Sequence, residues 1–174
     1  MKNSSLHSVE SDEFYRLEPV RQVTAHDGMQ RFAIPGEVCC AIATLKNLGG
    51  YGLGWSSDLV EPSLVFHANT SVLWLGVDER AVALNVQTGR VEASLKLDSV
   101  LFDIFWVDGA IAIVCELEVL VLNAGASLRF IQPLPDVVGG AIVKEKQLIL
   151  ETLENQNFEL DIHQGELREL VKAA

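Results

Sequence analysis

The amino-acid sequence predicts an all-β fold built from a four-stranded antiparallel meander repeated about every 38 residues. Three observations carry this. Short apolar runs alternate with Gly, Asn, Asp and Pro turn residues, and no segment shows a helical period. Asn85, Asn123 and Asp161 recur at successive spacings of 38 residues. Many runs, such as 110–114 and 119–122, have no polar face, as expected of strands covered on both sides by neighbouring sheets.

The second copy of the repeat shows each element most clearly. Its strands are read at 101–107, 110–115, 118–122 and 128–132. Asp108-Gly109 between the first two is a strong hairpin signal, and Pro133 and Pro135 end the copy. The first copy reads as 64–67, 72–77, 81–86 and 90–97. The third reads as 140–143, 147–152, 157–162 and 166–171. Leu73, Ile111 and Ile149 keep the same period upstream of the turns. The copies therefore span 64–100, 101–138 and 139–171. Asn47, followed by Gly49 and Gly50, lies one period ahead of Asn85. It suggests a divergent copy over 20–63, with strands at 22–24, 30–34, 38–45 and 51–55. Residues 1–12 read as a flexible polar tail, and 13–174 as one all-β domain.

The repeated turn has a physical reason. An Asn or Asp side chain accepts hydrogen bonds from backbone two residues on and starts the turn. A glycine a few residues later, Gly89 or Gly165, supplies a positive φ without steric cost. In the second copy the glycine is displaced to Gly125, so that turn must differ in detail.

The segment Ala83-Leu84-Asn85-Val86-Gln87-Thr88-Gly89-Arg90-Val91 resembles the third-strand, turn and fourth-strand signature of β-propeller blades, especially quinoprotein-like and lactonase-like ones. The resemblance covers roughly residues 64–171. It implies a propeller-like stack of sheets. The Trp-Asp dipeptide of WD40 repeats is absent, and so is the tryptophan that follows Thr-Gly in quinoprotein blades. No quinone or other cofactor is therefore carried over. Three clear copies are fewer than the four or more blades of a closed propeller. Residues 13–63 can supply a fourth sheet, or two chains can close a ring as a homo-oligomer. Otherwise the repeats form an open arc or a β-sandwich.

Composition narrows the function classes. Apolar residues make up 49% of the 174 and charged residues 21%, a globular composition. No apolar run reaches the roughly 18 residues of a membrane span. Residues 1–12 lack the basic start and apolar core of a secretory signal, and three cysteines (Cys39, Cys40, Cys115) do not suggest a disulfide framework. The expected compartment is the cytoplasm. A formal net charge of −11 with no basic stripe argues against nucleic-acid binding and suits a basic protein partner.

The search for chemistry finds no catalytic, metal or cofactor set. His7, His26, His67 and His163 form no pair with metal-ligand spacing, and Cys39-Cys40 is not a CxxC motif. No G-x-S-x-G nucleophile motif occurs. His26-Asp27-Gly28 reads as a polar turn. Asp98, Asp103 and Asp108 fall near strand ends, where paired carboxylates do acid–base work or bind a cation, but solvated loops have the same spacing. Glu116 and Glu118 flank a hairpin and read as exposed. The glycine-rich run Gly49-Gly50-Tyr51-Gly52-Leu53-Gly54 fits neither a dinucleotide fingerprint nor a P-loop. It reads as a loop, with Tyr51, Leu53 and Trp55 as apolar partner contacts and Asp58 and Glu61 as an acidic rim.

The function expected from these readings is a non-enzymatic protein-binding domain with an acidic surface, of which an immunity or inhibitor-type protein is one variant. A propeller-like hydrolase or lactonase and a self-associating structural module are the alternatives.

Overall fold

In the computed structural model of the chain, the apolar runs become sixteen strands, with no helix among the described residues. Those residues are 15–20, 30–32, 39–45, 49–56, 61–67 and 69–171, with side chains described from residue 54 onward. The chain divides into two compact units, Met1–Glu61 with Val86–Gly89, and Pro62–Asn85 with Arg90–Ala174.

The first unit holds β1 (Tyr15–Val20), β2 (Gln30–Phe32), β3 (Cys39–Leu45) and β4 (Gly49–Trp55), in the order β1-β3-β4-β2. Residues 13–63 thus supply a four-stranded sheet, but not a meander. β3 and β4 form an antiparallel hairpin, with β1 antiparallel to β3 on one side and β2 parallel to β4 on the other. The sequence reading missed β1, although residues 15–18 alternate apolar and polar residues. Pro19 masked it, because proline is confined to edge strands, and β1 is an edge strand. The strand expected at 22–24 and the turn at Asn47 lie outside the described residues.

The second unit holds the three clear copies. The first is β5 (Ser63–His67), β6 (Val72–Val77), β7 (Arg80–Asn85) and β8 (Val91–Lys96). The second is β9 (Leu101–Val107), β10 (Ala110–Cys115), β11 (Glu118–Asn123) and β12 (Leu128–Pro133). The third is β13 (Val138–Lys144), β14 (Gln147–Thr152), β15 (Asn157–Leu160) and β16 (Leu167–Glu169). Each copy is one antiparallel meander, as expected, with boundaries within a few residues of the sequence reading.

The repeated turns are equivalent. The amides of Asn85, Asn123 and Asp161 donate to the carbonyls of Arg90, Ser127 and Glu166, closing the third strand onto the fourth in every copy. Gly89 and Gly165 have φ of 71° and 75°. In the shorter second turn the left-handed residue is Ala126, at φ 62°, rather than Gly125. Asp108 and Gly109, at φ 40° and 81°, make the two-residue hairpin read from sequence. Replacing Gly89 by valine is expected to lower the unfolding free energy by about 1–2 kcal/mol, because a β-branched residue is penalised at positive φ. Chemical denaturation measures this, and an unchanged midpoint would mean that the turn relaxes freely.

The three sheets stack face to face, with the second in the middle. One core joins Trp74, Ala83 and Leu97 of the first copy to Ile104, Ile113 and Leu122 of the second. The other joins Phe105, Ala112 and Val121 to Leu148, Leu150 and Phe158 of the third. Neighbouring residues of β10 thus serve opposite cores, and all six are buried. This is the two-faced burial that the unbroken apolar runs predict. Gly76 lets β6 approach β9: a Cβ there would fall 2.6 Å from Leu101 Cδ1 and 2.8 Å from Ile104 Cδ1. The sheets pack together along their first strands, β5 on β9 and β9 on β13, as propeller blades do.

The connections between copies are equivalent too. Leu97, Leu101 and Glu116 donate to the carbonyls of Glu79, Asp78 and Val100. One period later Leu134, Val138 and Leu153 donate to Leu117, Glu116 and Val137. The far face of the third sheet carries both the hydrogen bond between Gln147 and Glu159, at 2.7 Å, and the exposed side chain of Ile142.

Candidate functional site

The glycine-rich run expected as a contact loop is strand β4, hydrogen-bonded to β3 and β2 on its two sides. The strand expected at 51–55 is present and extends back to Gly49, and the loop reading of the run is corrected. Glycine in a strand marks close backbone approach as readily as a turn. Alternation places Tyr51, Leu53 and Trp55 at positions on one face of the strand. Trp55 is buried, at 8% exposure. Glu61 is exposed. Asp58, His7 and the His26-Asp27-Gly28 triplet lie outside the described residues. Cys39 and Cys40 are consecutive in β3.

In the second unit the strands define two ends. At one end lie the turns joining first to second and third to fourth strands. There the structure unites two residues that the sequence left apart: His163 Nε2 lies 2.9 Å from Asp108 Oδ2. Lys146 Nζ lies 3.0 Å from the other Asp108 oxygen. The His163 hydrogen bond, followed by that of Lys146, holds the Asp108 carboxyl below its usual value, so it is ionised at neutral pH. Arg129 Nη1 stands 3.4 Å from His163 Nδ1, and its Nε donates to Asn123 Oδ1 at 2.5 Å. Both imidazole nitrogens therefore have partners. The group is a clasp between the second and third sheets, exposed and correspondingly weak. His67 is not part of it. Its ring stacks on Trp106 at 3.5 Å, and burial pushes its pKa down.

The opposite end holds the turns joining second to third strands and the connections between copies. Asp103 is tied up structurally, accepting from Ser63 Oγ at 2.5 Å and from the Ile104 amide at 2.7 Å. It forms no dyad with Asp108, which lies at the other end of β9. Asp98, Glu116 and Glu118 instead gather around the end of β10. Burial pushes the Cys115 thiol up to about 12, and the negative charges of Glu118, Asp98 and Glu116 add to this. Cys115 is thus an inert core thiol. Glu116 is exposed as expected, whereas Glu118 is half-buried.

The same end exposes three large apolar side chains, Phe102 at 41%, Leu117 at 48% and Leu153 at 66%. Leu117 and Leu153 flank the connection 134–138, to which both are hydrogen-bonded through their backbones. Phe102 is the extra residue of a β-bulge. Asp103 pairs with Val114 and Leu101 with Cys115, leaving Phe102 with no residue opposite. Sequence reasoning missed all three. In the apolar run Leu101-Phe102-Asp103-Ile104-Phe105-Trp106-Val107 nothing marks which residue a bulge turns outward.

No protein-family model matches the chain, and no curated protein matches it. Solved structures do. The computationally designed protein Ika4 matches with a TM-score of 0.56 and 13% identity, over 68% of this chain and 76% of that one. The designed protein Ika8 matches at 0.53 and 16% identity, over 75% of this chain and 46% of that one. BamB from Moraxella catarrhalis matches at 0.54 and 12% identity, over 88% and 51%. The likeness is one of fold. It is that of an all-β, propeller-like array of four-stranded sheets. The chain spans about half the length of Ika8 and BamB.

Proposed function

We propose that the protein is a non-enzymatic binding domain whose contact surface is the acidic end of the three-sheet unit, and that its partner is a protein with a basic contact face. The observation that carries this is the division of charge along the strands. At the acidic end the second-to-third-strand turns carry Glu79, Glu116 and Glu154 and the end of β14 carries Glu151, all exposed, and the connections carry Asp98 and Asp136. Among the described residues of the unit, Arg80 and Lys96 are the bases there. At the other end Arg90, Arg129, Lys144, Lys146 and Arg168 offset Glu92, Asp108, Glu145, Asp161 and Glu166. Such a one-sided field steers a cationic partner and repels phosphate backbones. Exposed Phe102, Leu117 and Leu153 supply the apolar contacts that a purely electrostatic surface lacks. The immunity or inhibitor variant fits this chemistry, because a basic nuclease is a partner of the required charge.

The test is capture from the source cell at low and high salt, with wild type and with a variant reversed at Asp98 and Glu116. A basic partner lost both in high salt and in the variant supports the reading. A partner retained under both conditions, or substrate turnover by the purified chain, contradicts it.

A further inference from the structure

We propose, resting on the reading of the acidic end as the contact surface, that this surface takes an arginine-rich protein segment with a guanidinium stacked on the exposed ring of Phe102. A bulge aims a side chain away from its ladder, and here it leaves a phenylalanine 41% exposed at the first strand of the middle sheet. A lone exposed phenylalanine is ordinary. The backbone around this one carries acidic residues. The Glu116 amide is bonded to the Val100 carbonyl at 2.9 Å, two residues from Phe102, and Asp98 precedes it by four. Cys115, which feels Glu118, Asp98 and Glu116 together, is paired across the strands with Leu101, the residue before Phe102.

Aromatic ring and carboxylates together select arginine over lysine. A guanidinium is planar and weakly hydrated, so it stacks on a ring while its edge pairs with a carboxylate. An ammonium is compact and strongly hydrated and does the second more readily than the first. A second copy of this chain docking through the same face brings the same acidic surface and is repelled.

The test is fluorescence anisotropy with labelled nona-arginine and nona-lysine peptides at about 50 mM salt, where charge attraction is weakly screened. Wild type is expected to bind nona-arginine about two- to five-fold more tightly than nona-lysine. Phe102→Leu keeps an apolar side chain and is expected to erase that preference, while Phe102→Trp keeps or raises it. Asp98→Asn with Glu116→Gln is expected to weaken both peptides. Equal affinities in wild type, or a preference that survives Phe102→Leu, overturn the stacking inference alone. Failure of both peptides to bind, or binding unchanged by the carboxamide pair, overturns the underlying reading as well.

Discussion

Replacing Ile113 by alanine is expected to lower the unfolding free energy by about 2–5 kcal/mol, the usual cost of a cavity in a closely packed core. Ile113 is fully buried, and its side chain fills the space between the first and second sheets beside Trp74 and Leu122. Neighbouring sheets bracket β10 on both faces, so the site has little freedom to collapse. Ile142→Ala is the contrasting variant. That residue is 53% exposed on the far face of the third sheet, and its loss is expected to change stability by no more than about 0.5 kcal/mol. Urea denaturation measures both. Equal effects would mean that the core between the first and second sheets is not closely packed.

The second large effect concerns association. Asp98→Lys, Glu116→Lys and Glu154→Lys together reverse the field at the acidic end, at three exposed positions that leave the cores untouched. Association with a basic partner is expected to slow by about 10- to 1,000-fold at low salt, and its salt dependence to flatten. Glu145→Lys, at the opposite end, is expected to leave the rate unchanged. Stopped-flow association across a salt series reads both variants. An equal slowing by Glu145→Lys would point to net charge rather than to a placed surface.

The sequence made the repeated architecture legible because the repeat writes the same physical solution three times. Asn85, Asn123 and Asp161 each close a third strand onto a fourth, and the strands between them are apolar wherever sheets cover both faces. The second turn shows the limit of that reading. Gly125 flagged a departure, yet Ala126 carries the positive φ, a conformation in which the residue type left no trace. The first unit was harder to read. β2 pairs in parallel with β4 across intervening chain, and no local pattern announces such a pairing. The glycines of β4 signalled a loop because glycine is as frequent in turns as in closely approached strands.

The candidate surface was partly legible. Net charge predicted an acidic protein, and the turns were placed correctly, but chain position alone did not show that alternate turns gather at one end. That follows only from the meander, which brings residues 79, 116 and 154 together and sends 108, 146 and 163 to the opposite end. The Asp108–His163 pair, 55 residues apart in sequence, has the same origin. Phe102 depends on a one-residue register shift, which hydrophobic pattern does not encode.

The most direct test of the acidic-end surface is amide chemical-shift mapping of the 15N-labelled protein titrated with the nona-arginine peptide. The perturbed amides are expected at 98–102, 116–118, 134–138 and 151–154, fading as salt is raised. Perturbations centred on β4 at 49–55, or on the turns at 108–109, 145–146 and 161–166, would contradict that assignment.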